Sequence, residues 1–119
     1  MSTDSDAKHG AVKISDEVIA VCVLNSTLKT EGIYGLSGGI TDSISKNLLG
    51  KDPLYKGIKI NQSEDGAVID ISVIVDYGVK IPDVAWNVQE NVKKEIEDLI
   101  GITVDAVNIH VTGVNFSEA

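Results

Sequence analysis

From Gly57 to Tyr77 the chain alternates apolar and polar side chains around a single turn, and this stretch restricts the fold more than any other. Gly57-Ile58-Lys59-Ile60-Asn61-Gln62 leads into Ser63-Glu64-Asp65-Gly66. Beyond the turn, Ala67, Ile69, Ile71, Val73, Val75 and Tyr77 share one side, and Asp70, Ser72 and Asp76 the other. Successive side chains of a strand point to opposite faces. Period two around an Asp-Gly turn therefore predicts an antiparallel hairpin with one buried and one wet face. Such a sheet needs a cover.

The rest of the chain supplies one. Pro82 suits a first helical turn, where its missing N–H has no intrahelical partner, and Asp83 adds negative charge there. Val84, Ala85, Val88, Val92, Ile96, Leu99 and Ile100 recur at three- and four-residue steps and end at Gly101, predicting an amphipathic helix. A last strand is expected from about Ile102 to Val114. Its apolar parity flips between Ala106 and Val107, which one inserted residue would produce, so a bulge or bend is expected there. Near the start, Ser15 before Asp16-Glu17 signals a helix running to Thr30 with Gly32 beyond it. Its valines and isoleucine would suit a strand equally. Apolar residues on all its sides imply burial against more than one neighbour, or a self-association face.

Between these parts, GIYGLSGGI has four glycines in nine residues. A short strand through Ile33-Tyr34-Gly35-Leu36 and a turn at Gly38-Gly39 account for it. Thr41-Asp42 can cap a short helix with Ile44, Leu48 and Leu49 on one side and Gly50 as its stop; a loop from Lys51 to Lys56 follows. The expected order is α-β-α-β-β-α-β. This is the α+β class, a small, mostly antiparallel sheet with helices packed on one face. Residues 11–115 form the single domain, residues 1–10 a disordered N-terminal tail and residues 116–119 a frayed C-terminus.

Ten basic residues face eighteen acidic ones in 119, a formal charge of −8. Nucleic-acid affinity rests on cations displacing counterions from phosphates, so a general nucleic-acid binder is disfavoured. Adhesion to an anionic membrane surface is disfavoured on the same ground. One cysteine excludes an intrachain disulfide, and with two histidines it leaves too few ligands for a structural zinc site. The polar start MSTDSDAKHG has no apolar region of the kind a secretory signal requires. The longest apolar run, Val18 to Leu24, is seven residues, against the ~20 a membrane-spanning helix needs. A cytoplasmic location is expected.

No catalytic, cofactor or metal constellation emerges. Gly35-Leu36-Ser37-Gly38-Gly39 lacks the lysine and the spacing of a phosphate loop. A KH-type RNA loop shares its glycine spacing but needs a basic residue between the glycines. Cys22 sits in an apolar run with no cation to activate it, so a buried, inert thiol is expected. His110 falls on the polar parity of the last strand, a surface position. Asp70 and Asp76 could pair with Lys59 across the hairpin as an ordinary solvated face. Trp86 stands out: at about 100° per residue it lies well off the Val84/Val88/Val92 stripe, near Glu90 and Lys93. An indole on a polar helix face is a candidate partner anchor, although a ring folded over the Lys93 stem would be the blander outcome.

The chain resembles the alkaline shock protein family, the Asp/Gls-type envelope stress response family of Gram-positive bacteria. The resemblance rests on the Gly57 hairpin, Tyr77-Gly78 before Ile81-Pro82, Val88-Gln89-Glu90-Asn91-Val92, and Val107-Asn108-Ile109-His110-Val111 with Gly113-Val114. Upstream, Ile14-Ser15-Asp16-Glu17-Val18-Ile19 and Glu31 to Gly39 are similar too. It implies a non-enzymatic protein of envelope homeostasis and stress, one that self-associates and is held at the membrane by an integral membrane partner. The alternative it implies is an accessory or regulatory factor for lipid or fatty-acid metabolism enzymes. No catalytic residue set comes with it. Two departures stand out: Trp86 occupies a position commonly basic or polar in the family, and Val21 to Asn25 is bulkier than the usual alanine- and glycine-rich segment.

Overall fold

The structure is a computed structural model that describes residues 10–37 and 57–116. The expected short helix after Thr41, the Gly38-Gly39 turn and the loop to Lys56 lie outside the described residues. Helix α1 spans Asp16–Leu28, strand β1 Ile33–Leu36, β2 Ile58–Ser63 and β3 Gly66–Asp76; helix α2 spans Ile81–Glu95 and strand β4 Val104–Asn115. The class is α+β, as the patterning predicts.

The hairpin forms as expected. Ser63 pairs with Gly66 across a two-residue turn, and Ile58 pairs with Ile71 at the far end. β3 buries Ala67, Ile69, Ile71, Val73 and Val75 on one side, while its alternate residues stay half-exposed. Tyr77 does not continue that buried row: β3 ends at Asp76, and the ring leaves the core.

β3 is the central strand. One edge carries both β1, opposite Val73 to Val75, and β2, opposite Gly66 to Ile71, each antiparallel to it. Ser72 bridges the two, accepting from the Ser37 N–H at 2.9 Å and donating to the Gly57 carbonyl at 2.8 Å. β1 and β2 are therefore two lengths of one edge strand. The other edge carries β4, which runs parallel to β3 from Ala67–Val104 to Asp76–Asn115. A parallel neighbour needs a crossover, and α2 supplies it. The register slips at Asp105, one residue before the expected bulge, so that Val104 and Val107 both face inward. A second slip at Thr112 has no counterpart in the sequence pattern.

Both helices cover the inner face. Ile19 and Val23 of α1 and Val84, Val88 and Val92 of α2 join the β3 row in one aliphatic core. Ser15 caps α1, its Oγ accepting from the Val18 N–H at 3.3 Å. Thr30 Oγ1 donates to the Ser26 carbonyl and accepts from Asn91 Nδ2, each at 3.0 Å. The small polar residues Ser26, Thr27 and Thr30 are thus buried on the core side of α1, and Thr27 Oγ1 has no partner there.

α2 continues into one π-helical turn, Ile96–Ile100, closed by Gly101 in the left-handed conformation, whose N–H bonds the Ile96 carbonyl five residues back. The wider turn shifts the side chains that follow. Ile96 stays fully buried, but Leu99, expected on the inner stripe, faces out.

Candidate interaction surface

The inner stripe of α2 fixes where its other side chains go. Trp86 lies on the far side of the helix from Val84 and Val88, and Glu90 and Lys93 fall within about 40° of it. All three are exposed in the structure. The indole has not folded down: it retains 58% exposure.

Trp86 belongs to a wider pattern. Tyr34, Tyr77 and Phe116 are 60%, 70% and 69% exposed, so the described aromatic residues all lie at the surface around an aliphatic core. Tyr55 falls outside the described residues. Tyr77 and Phe116 meet with ring centroids 5.0 Å apart and planes tilted by 35°, where β3 ends and β4 leaves the sheet. Val79, Ile81 and Val114 border them. The ring pairing brings together residues 39 positions apart in sequence, and no short-range pattern announces it. The exposed end of the alternating run at Tyr77 is its nearest sequence signal.

The outer face of the sheet holds the polar side chains. Asp70 sits opposite Lys59 in the β2–β3 register, but its carboxylate is engaged from the β4 side. Asp70 Oδ1 accepts from Asn108 Nδ2 at 3.0 Å and lies 3.5 Å from His110 Nε2. Thr112 Oγ1 donates to Ser37 Oγ at 3.1 Å nearby. A depression of about 700 Å³ over Gly57, Lys59, Asp70, Ser72, His110 and Thr112 stands open to solvent. Among the described residues no group of three or more His, Cys, Asp or Glu side chains is arranged to hold a metal ion. Cys22 is half-buried, with its thiol pKa raised by burial and then by the charge of Glu95, so it stays protonated at neutral pH. No described helix is long and apolar enough to cross a membrane.

Residues 4–116 match the family model of alkaline shock protein 23, described as having cell envelope-related function. YloU of Bacillus subtilis strain 168 is 38% identical over 116 residues, covering 96% of each chain. Spy1614 of Streptococcus pyogenes serotype M6 is 34% identical over 116 residues, 96% of this chain and 95% of its own length. YqhY of Bacillus subtilis is 32% identical over 111 residues, 93% of this chain and 82% of its own length. All three are described as uncharacterized proteins. No solved structure matches. With nearly its whole length matched by the family model and by relatives from two Gram-positive genera, the chain belongs to the alkaline shock protein 23 family of cell envelope-related proteins.

Proposed function

We propose that this protein is a non-enzymatic contact module of the Gram-positive envelope, held at the inner face of the membrane by a protein partner. The observation that carries this is the placement of the aromatics. Tyrosine and tryptophan are enriched at interfaces, and here Tyr34, Trp86 and the Tyr77–Phe116 pair all stay exposed around an aliphatic core. Attachment through a protein fits the charge of −8, which is repelled by anionic headgroups.

Trp86, flanked by Glu90 and Lys93, is the proposed anchor: a large apolar body between charges of both signs. Trp86→Ala should weaken retention of the membrane-fraction partner by a hot-spot-sized ~2 kcal/mol or more. Quantitative affinity capture with the full chain measures it. Unchanged retention removes Trp86 from the interface.

A further inference from the structure

Among the described residues β4 pairs only with β3, and its far edge is open. The carbonyls of Thr103 and Asn115 face β3, accepting from the Ala67 N–H at 2.9 Å and the Tyr77 N–H at 3.0 Å. Successive residues of a strand turn their backbone groups to opposite edges, and the slips at Asp105 and Thr112 each shift that count by one. Val107, Ile109 and Val111 therefore turn their N–H and C=O groups to the far edge. Gln89 Nε2 meets the Val107 carbonyl at 3.0 Å. The outward groups of Ile109 and Val111 meet no partner among the described residues.

Edge strands are usually blunted by lysine, proline, a bulge or a covering element, because an open row of donors and acceptors captures extended chains. β4 contains neither lysine nor proline. Its two slips sit toward its ends and leave Ala106 to Val111 regular. What stays uncovered is backbone at two-residue spacing, and the chemistry that matches it is another extended backbone.

α2 walls this edge on its inner side. At about 100° per residue, Gln89, Lys93 and Trp86 share the flank turned to β4, while Asn91 bonds Thr30 from the opposite flank. The crossover runs antiparallel to β4, so Trp86, about 4.5 Å before Gln89 along the helix, stands level with Ile109. The cover thins in the same direction: Val107 is 8% exposed, Ile109 half-buried and Val111 36% exposed. The geometry points to a groove between α2 and β4 that takes an extended segment of the membrane-held partner as an added strand. Alternate residues of that segment are apolar and pack on Ile109, Val111 and the Trp86 indole. The others lie on the outer face, away from Lys93 and toward Asp70, and are basic, as the cytoplasmic flanks of membrane-spanning helices commonly are. A second copy would instead bring another charge of −8 to the same edge. The inference rests on the reading of the chain as a contact module and names how its partner is held.

Residue-resolved amide hydrogen exchange on the full chain tests this. The probes are synthetic peptides tiling the cytoplasmic segments of the membrane protein that a photo-reactive residue at position 86 captures. In the free chain the Ile109 and Val111 N–H groups should exchange at least about tenfold faster than those of Asn108 and His110, which face β3. A peptide alternating apolar and basic residues should slow both by at least about tenfold. Val111→Pro deletes only an outward donor and should weaken that peptide by about tenfold, with circular dichroism unchanged. Val111→Ala keeps the donor and should cost less. Unchanged exchange at Ile109 and Val111 with every peptide, despite capture at position 86, overturns the edge pairing and leaves the contact module standing. Slowing that follows protein concentration alone gives the edge to a second copy and overturns the inference. Absence of both capture and slowing ends the two together.

Discussion

Ile71→Ala will lower the unfolding free energy by about 3–4 kcal/mol, the largest loss expected from any single truncation here. Ile71 is fully buried in the middle of β3. Ile58 pairs beside it on one strand and Ile109 on the other. Truncation removes three methyl or methylene carbons and leaves a cavity. The cost depends on how far the surroundings can collapse into it, and a central strand bonded on both edges moves little. Leu or Ile to Ala in such positions costs ~2–5 kcal/mol, and the pinned backbone argues for the middle to upper part of that range. Against a total stability of about 5–15 kcal/mol for a domain, this shift will be plain in urea unfolding. A loss below about 1.5 kcal/mol would mean the core is looser than its burial implies.

Gly32→Ala is expected to cost about 2–3 kcal/mol, from two separable sources. Gly32 has φ of +97°, a conformation that L side chains rarely adopt. Its carbonyl also accepts from the Asp76 N–H at 2.9 Å, tying the end of β3 to the segment after α1. A Cβ at this position would stand 2.7 Å from Val84 Cγ2, with Val79 Cγ1 at 3.4 Å behind it. Val84 is itself buried on the inner stripe of α2, so it has little room to yield. Gly78 supplies the control. Its φ is +98°, but an added Cβ would meet nothing within 4 Å. Gly78→Ala should therefore cost only the backbone strain, about 1–2 kcal/mol. Equal losses at the two positions would show that contact with Val84 contributes nothing.

How much of this was written in the sequence depends on the range of the interaction. The hairpin, the buried row of β3 and the Val84/Val88/Val92 stripe follow from periodicity, because each is set by neighbours a few residues away. Trp86 is legible for the same reason: a helical angle suffices to place it outward. The slip at Asp105 shows as a change of parity, located to within a residue. The parallel pairing of β4 is different, since alternation says which face a residue takes and nothing about the direction of its neighbour. Leu99 turns outward because one π-helical turn breaks the 3.6-residue count, a shift that the apolar spacing conceals. α1 is the hardest case. Its apolar residues lie all round, so no stripe marks the buried side. The contacts of Ser26, Thr27 and Thr30 toward α2 and the core exist only once both helices are placed. The meeting of Tyr77 with Phe116 likewise needs β4 laid beside β3.

A photo-reactive amino acid at position 86, introduced into the full chain in growing Gram-positive cells, tests the contact account most directly. The account expects covalent adducts to a membrane-fraction protein from position 86, and none from a control at Asp65 in the exposed hairpin turn. Equal labelling from both positions, or no protein adduct at all while envelope function depends on this chain, would contradict it.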